Sequence, residues 1–133
     1  MLNSVLMLFD LDDTLLITDA RIVLKDPESG EVLHRLSTDQ YRDMKKSAGE
    51  NVSGYTLDFS EFNNTEKVCA SFLRARPGPA LPILRDAMDT ADTEIGILTA
   101  RSSEEAVEKA LPPFLKKQGL DIQIDPDLIF AVR

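Results

Sequence analysis

The residues with the clearest chemical potential are the carboxylates that directly follow the first apolar segment. Asp10, Asp12 and Asp13 come after the apolar run 5–9, and Thr14 follows them. Three neighbouring carboxylates repel one another unless they are solvated, protonated or neutralised, and a hard divalent cation such as Mg²⁺ is the usual remedy. A cation there would also recruit phosphate. Asp10 can then attack phosphorus in line, while Asp12 protonates the leaving oxygen and later activates water.

A second apolar segment also ends on polar residues. The run 95–98 is followed by Thr99, Ala100 and Arg101. Open α/β sheets bind ligands outside the carboxyl ends of their strands, so we expect the two segments to meet at one edge. The Thr99 hydroxyl and the Ala100 N–H would hold the phosphoryl oxygens, together with N–H groups of the first loop such as that of Leu11. Arg101 is a candidate substrate contact, although an arginine at a helix start is as often solvated or ion-paired.

Both segments resemble motifs of the haloacid dehalogenase (HAD) superfamily. The stretch LFDLDDTL at 8–15 is similar to its first motif, an apolar strand followed by DxDxT, and ILTAR at 97–101 is similar to its second. The resemblance implies that Asp10 is the nucleophile and an Mg²⁺ ligand, and that Thr99 binds phosphate. Asp12 would be the acid/base and would give Mg²⁺ its backbone carbonyl.

Asp12 also reduces the number of branches of the superfamily that the chain resembles. Dehalogenases of the superfamily generally lack an acid at the position of Asp12, and its transport ATPases carry Lys where this chain has Leu11. The resemblance therefore implies an Mg²⁺-dependent phosphomonoester hydrolase that acts on a small phosphorylated substrate. The physiological substrate and the oligomeric state do not follow from these motifs.

The chain departs from the family pattern after the second motif. The family continues with a Lys that stabilises the phosphoryl group and with acids that complete the Mg²⁺ site. Lys116, Lys117, Asp125 and Asp127 are the residues available. Their spacing is tighter than in the family, so we expect the chain to lack both motifs and to be a C-terminally truncated form of the domain.

The elements that must position these residues fit one HAD-like α/β domain over 1–133. We expect a Rossmann-like three-layer sandwich with a parallel sheet, in which the run 5–9 is buried on both faces. The core would comprise 1–20 and 76–133. A β-hairpin flap and a small cap-like insertion would occupy 21–75.

Local patterns predict the remaining elements. The sequence DPESG joins the hairpin strands Ile22–Lys25 and Val32–Leu36, since proline presets a turn and glycine accepts positive φ. Further strand is expected near 55–59, 122–124 and 128–132. Helices are expected over 37–46, over 66–75, from about Ala80, and after Ser103 until Pro112 and Pro113 disrupt the hydrogen-bond ladder.

Composition excludes several classes of function. The net charge of −8 opposes a general nucleic-acid surface. One cysteine, Cys69, allows neither an internal disulfide nor a multi-cysteine zinc site, which fits a reducing compartment. The run 5–9 is too short for a signal-peptide core, and no stretch reaches a membrane-spanning length, so we expect a cytoplasmic protein. The single histidine, His34, falls in the hairpin and is expected at the surface.

Two alternatives stay open at this point. The first is a catalytically impaired HAD-like domain that binds Mg²⁺, phosphate or a partner. The second is a phosphoacceptor receiver domain, which also has an acidic cluster after its first strand. A receiver needs an acceptor aspartate after a buried mid-chain strand, and Asp58, preceded by GYTL, is a poor candidate.

Overall fold

The computed structural model describes residues 5–48 and 54–131. Strands and helices alternate along the chain as in a mixed α/β fold, which confirms the predicted class. The elements are β1 (Val5–Asp10), β2 (Leu16–Ile17), β3 (Ile22–Lys25), β4 (Val32–Leu36), α1 (Thr38–Ala48), β5 (Thr56–Asp58), α2 (Ser60–Asn63), α3 (Thr65–Arg74), β6 (Arg76–Pro77), α4 (Leu81–Met88), β7 (Thr93–Thr99), α5 (Glu104–Lys117), a short 3₁₀ helix η1 (Pro126–Leu128) and β8 (Ile129–Ala131).

Backbone contacts divide the chain into two compact units. One comprises the stretch up to Asp19 and the stretch from Asn63 onward, and the other is Ala20–Phe62. The second unit is shorter than the predicted insertion 21–75, because α3 belongs to the first. Val68 and Phe72 of α3 are fully buried in the core of that unit, so an amphipathic helix that follows a polar stretch in sequence is a core element.

The first unit contains the predicted parallel sheet, with strand order β1-β7-β8. Asp10 is the register partner of Leu98, and Ile97 is the partner of Ile129. Both pairs are parallel, so all three strands present their carboxyl ends at the same edge. The predicted strand over 128–132 is confirmed by β8, whereas Ile122 and Ile124 form no strand. They pack instead, half-buried, against the core.

One face of this sheet is buried. Paired residues of parallel strands point to the same side, and Phe9, Ile97 and Ile129 share the buried side. The helices α3, α4 and α5 and the segment directly after β1 supply most of the rest of this core. Its largest fully buried side chains are Phe72, Phe114, Leu11, Leu15, Leu16, Leu84, Ile97, Leu111, Leu115, Val68 and Val107.

The opposite face of the sheet differs from the prediction. Leu6 is 44%, Leu8 47% and Phe130 37% exposed, so β1 is not buried on both faces. The uninterrupted apolar run is typical of a central parallel strand, yet β7 is the only strand that pairs with β1 within residues 5–48 and 54–131. The described part of the chain therefore forms two of the three expected layers, a sheet and the helices on one of its faces.

Helix α5 also differs from the prediction, because it runs through Pro112 and Pro113 without a break. The two prolines cannot bond the carbonyls of Glu108 and Lys109. All four of these residues are exposed, so water can satisfy both carbonyls. The side chains of Phe114 and Leu115 are fully buried just beyond, and their burial holds the last turn of the helix in place. As predicted, Ser103 caps the helix by accepting the Ala106 N–H.

The second unit confirms the predicted hairpin. Strands β3 and β4 pair antiparallel, and Gly30 in their turn has a φ of 73°. The strand expected near 55–59 is also confirmed, since β5 pairs with the other edge of β3. His34 is exposed, as expected. Ser37 and Gln40 form a reciprocal capping box at the start of α1, in which each backbone N–H donates to the other side chain.

No helix in the described part of the chain has the length and apolar character needed to cross a membrane.

Asp58 is the most perturbed carboxylate of the second unit. The Ser60 side chain and the Lys25 ammonium donate to it, and the Ser60 N–H donates to Oδ1 at 2.8 Å. These hydrogen bonds, that of the Ser60 side chain first, hold the pKa of Asp58 well below its usual range. The contribution of this carboxylate to stability is therefore fully present above its unfolded pKa and lost as pH falls below it.

We predict that Asp58→Asn lowers the free energy of unfolding of this unit by about 1–2 kcal/mol at neutral pH, and that the difference from wild type shrinks below about pH 4. Both tyrosines of the chain, Tyr41 and Tyr55, lie in this unit and the chain has no tryptophan, so tyrosine fluorescence in urea reports on it selectively. Asp43→Asn, at an exposed position of α1, is the matched control. An equal loss at low and neutral pH would contradict the prediction.

Candidate active site

The loop that follows β1 presents Asp10 at the surface. Asp10 is the last residue of the strand and is exposed. The Thr14 hydroxyl donates to its Oδ2 at 3.2 Å, and this side-chain hydrogen bond helps to fix the carboxylate. The other oxygen, Oδ1, accepts no hydrogen bond from the described residues. An exposed carboxylate oxygen of this kind can accept a further donor or a cation.

The same loop is held tightly by its own backbone. The N–H of Asp13 donates to the Leu16 carbonyl at 2.8 Å, and that of Leu15 donates to the Leu11 carbonyl at 3.0 Å. Asp13 has a φ of 64°, a left-handed conformation that aspartate tolerates better than most residues. Leu15 and Leu16 are fully buried, so the loop is anchored in the core immediately after its acidic tip.

Gly78 allows the segment before α4 to pack closely against this loop and to hydrogen-bond with it. Its N–H donates to the Leu15 carbonyl at 2.9 Å, and the Ala80 N–H donates to the Thr14 carbonyl at 2.8 Å. A Cβ at Gly78 would lie 2.3 Å from the Thr14 carbonyl oxygen and 2.8 Å from the Leu15 carbonyl carbon. Only glycine allows this approach, because both contacts are to backbone.

Asp12 points toward a buried cation. Nε of Arg101 donates to its Oδ2 at 2.9 Å, and Nη2 donates to its Oδ1 at 2.8 Å. The Arg101 side chain is 2% exposed and that of Asp12 is 36% exposed. The guanidinium also stacks over the ring of Phe72, 5.1 Å from its centroid. The fork holds the carboxylate in one orientation from its inner side and leaves its outer side accessible.

The three candidate residues at the end of β7 differ in their exposure and contacts. Thr99 is buried, and its Oγ1 accepts the Arg101 N–H at 3.0 Å. Ala100 is exposed at the tip of the loop. Arg101 was considered either a substrate contact or a solvated or ion-paired residue, and its side chain forms an ion pair with Asp12. Of these three residues, Ala100 is the one that the structure presents to solvent.

Leu11 does not provide the phosphate-binding N–H expected of it. Its N–H donates to the Leu98 carbonyl at 3.1 Å and so extends the β1–β7 ladder by one residue. Its side chain is fully buried. Leu11 therefore anchors the loop to the sheet, and in this geometry its N–H is occupied.

Lys116, Lys117, Asp125 and Asp127 do not lie near Asp10. Helix α5 has 14 residues and starts beside the carboxyl end of β7, so a rise of about 1.5 Å per residue carries its last lysines roughly 20 Å away. Lys117 donates to the Leu73 carbonyl. Asp125 lines a cleft with Thr93 and Glu94, which lie at the amino end of β7. These residues do not complete a compressed form of the missing motifs.

The donors at the site fit a modest Mg²⁺ site. Mg²⁺ in proteins usually takes one or two carboxylates and keeps several waters. Asp10 offers a surface carboxylate, and Asp12 can add its backbone carbonyl from the same loop. No group of three or more His, Cys, Asp or Glu side chains in residues 5–48 and 54–131 is arranged to hold an ion. Asp10 and Asp12 remain the donors expected to hold a cation, and one or two carboxylates with several waters are compatible with such a site.

No protein-family model, no curated protein and no solved structure matches the chain.

Two functional features of the site were missed by sequence reasoning. The fork between Arg101 and Asp12 joins residues 89 positions apart, and the only local signal was an arginine two residues after a buried strand. The backbone contact at Gly78 had a better signal, since RPGP at 76–79 places one glycine between two prolines.

We predict that Gly78→Ala lowers the free energy of unfolding by about 1–3 kcal/mol, because the new Cβ overlaps backbone that cannot rotate away. Urea unfolding followed by far-UV circular dichroism measures the loss. Gly96→Ala is the matched control. Its Cβ would lie 2.7 Å from Cδ2 of Leu8, the mobile end of an exposed side chain, and its nearest backbone contact would be the Leu128 carbonyl oxygen at 3.1 Å, compared with 2.3 Å at Gly78, so we expect a smaller loss. Equal losses in the two variants would contradict the proposed role of Gly78.

Proposed function

We propose that the chain is an Mg²⁺-dependent phosphomonoester hydrolase of HAD type that works through an aspartyl-phosphate intermediate. The observation that carries the proposal is the common edge of β1 and β7. Asp10 ends one strand and Thr99 ends its parallel neighbour, with Asp12 on the adjoining loop. This is the arrangement expected from the two motifs, and open α/β sheets bind ligands at such an edge.

In the first half-reaction, Oδ1 of Asp10 attacks the phosphorus of a small phosphomonoester in line with the leaving oxygen. The P–O bond to the leaving group breaks. Asp12, which is protonated at the start of this half-reaction, gives its proton to the leaving oxygen. Thr14 keeps the attacking carboxylate oriented through Oδ2. When Mg²⁺ is bound, it neutralises charge on the phosphoryl oxygens.

In the second half-reaction, Asp12 takes a proton from water, and the resulting hydroxide attacks the phosphorus of the aspartyl phosphate. The Asp10–phosphorus bond breaks, which releases inorganic phosphate and restores the carboxylate. Each Asp12 oxygen accepts one N–H of Arg101, and a carboxylate oxygen has a second lone pair, so Asp12 retains capacity for this proton on its exposed side. Ala100 is exposed, and its N–H is the donor that we assign to the phosphoryl oxygens.

We propose a cytoplasmic location, which the single free Cys69 supports, since it fits a reducing compartment. The negative net charge is consistent with a small phosphorylated substrate rather than a nucleic acid. Catalysis on an anion in an acidic protein depends on local neutralisation, as the proposed cation supplies.

A second candidate function is a binding domain that holds Mg²⁺ and phosphate without turnover. Two observations favour it. Thr99 is buried rather than presented to a substrate, and the lysines considered for the third motif, Lys116 and Lys117, lie at the far end of α5. A receiver domain is disfavoured, because Asp58 ends a strand of the antiparallel sheet in the second unit and is bound by Lys25.

We predict that the wild-type chain hydrolyses p-nitrophenyl phosphate only with Mg²⁺, and that Asp10→Asn abolishes turnover because it removes the nucleophile. Asp12→Asn should lower kcat by about 10²–10⁴-fold, the usual contribution of a general acid/base. Asp13→Asn is the matched control, since it makes the same charge change on the same loop and asparagine also tolerates left-handed backbone. Its activity should stay close to that of wild type, as should that of Asp58→Asn.

The same proteins distinguish the two candidate functions. If wild type is inactive, calorimetric titration with inorganic phosphate in the presence of Mg²⁺ decides the matter. Binding that Asp10→Asn removes would favour the binding domain. An inactive wild type that binds neither ion would contradict both candidates.

A further inference from the structure

Arg101 is more deeply buried than its partner in the fork. The chain contains a second fork of the same type, in which Nε and Nη2 of Arg74 donate to the two carboxylate oxygens of Asp19 at 2.8 and 3.0 Å. That pair is more than half exposed on both sides, whereas the Arg101 side chain is 2% exposed. A surface pair contributes little to stability or order, while a buried guanidinium requires a partner with full hydrogen-bonding geometry.

The guanidinium is fixed from three directions. The backbone N–H of Arg101 donates to Thr99 Oγ1, which holds the root of the side chain at the end of β7. The ring of Phe72 lies beneath the guanidinium plane. Asp12 closes the fork in front. The position of this cation is therefore set by the core and the sheet, and Asp12 takes its orientation from the cation.

We propose that Arg101 is the positioning residue that orients the Asp12 carboxylate toward the phosphoryl group on Asp10. This inference rests on the proposed hydrolase function and deepens it. Arg101 touches neither substrate nor Asp10 in this role, because its side chain is buried behind Asp12. It acts through Asp12, by fixing both oxygens of the carboxylate.

Arginine suits this role and lysine does not. The planar guanidinium presents two parallel N–H groups that match the two oxygens of a carboxylate, whereas an ammonium group is a point donor that leaves the carboxylate free to rotate. The change Arg101→Lys therefore keeps the buried charge, so that Asp12 is not left without a cation, but removes the geometric constraint. A positioning role predicts a loss in that conservative variant, which a purely charge-based role does not.

The first test compares Arg101→Lys with Arg74→Lys in the hydrolysis of p-nitrophenyl phosphate with Mg²⁺. We expect Arg101→Lys to lower kcat by about 10–100-fold, as misorientation of a catalytic group does, and to leave KM within about twofold of wild type. Arg74→Lys removes the equivalent surface fork and should change neither constant. Circular dichroism of both variants checks that the helices are retained.

A second test restores the guanidinium. Arg101→Ala should lose activity and recover about tenfold of it in millimolar guanidinium, which is far below the concentrations that unfold proteins. A variant damaged only in packing would show no such recovery. Phe72→Leu provides a readout that keeps Arg101 in place, since loss of the ring beneath the guanidinium should lower kcat several-fold with KM unchanged.

The outcomes separate this inference from the function on which it rests. An inactive wild type would overturn both. An active wild type with undiminished kcat in Arg101→Lys would overturn the positioning role alone, as would a raised KM with unchanged kcat, which would make Arg101 a substrate contact. Should Arg101→Lys lose its helices, an unchanged kcat in Phe72→Leu would overturn the role.

Discussion

The parallel register between β1 and β7 is the constraint on which the candidate site depends. It pairs Asp10 with Leu98, so the loops that begin at Leu11 and Ala100 leave the sheet side by side. The Leu11 N–H, bonded to the Leu98 carbonyl, carries the register one residue into the loop. A slip of one residue would turn Phe9 out of the core and shift one loop by about 3.3 Å relative to the other. Burial of the β1 side chains on one face thus also fixes the position of the loop that carries Asp12 relative to the loop after β7.

At the end of β7, polar residues are buried next to the apolar core. Thr99 and Arg101 are polar residues in a region otherwise filled by apolar side chains, and each is buried. Such groups are tolerated only when their hydrogen bonds are made, and here they satisfy one another and Asp12. No buried side-chain nitrogen or oxygen among the described residues lacks a partner. The candidate site is therefore continuous with the core, and the packing around Phe72 fixes the orientation of Arg101 and, through it, of Asp12.

The parts of this fold that could be predicted from sequence are those set by local pattern. The hairpin around Gly30, the Ser103 cap and the strand that ends at Asp10 each follow from residues within a few positions of one another. Three features could not be obtained in this way. Whether β1 has neighbours on both sides depends on strand order, and an apolar run does not encode it. Pro113 is tolerated in α5 because the side chains of Phe114 and Leu115, which follow it, are buried in the core. The fork on Asp12 joins distant residues, so an ion pair of Arg101 was one of the open alternatives but its partner could not be named.

Two carboxylates on one loop acquire different environments, and this difference is what allows them different roles. Asp10 faces solvent, and a neutral hydroxyl from Thr14 holds one of its oxygens. Asp12, two residues on, turns inward, and a buried guanidinium holds both of its oxygens. In between, Leu11 is fully buried and ties the two to the sheet. Residues two apart on an extended backbone lie on the same side, so the two acids differ through their hydrogen-bond partners: Thr14 holds one oxygen of Asp10, whereas Arg101 holds both oxygens of Asp12.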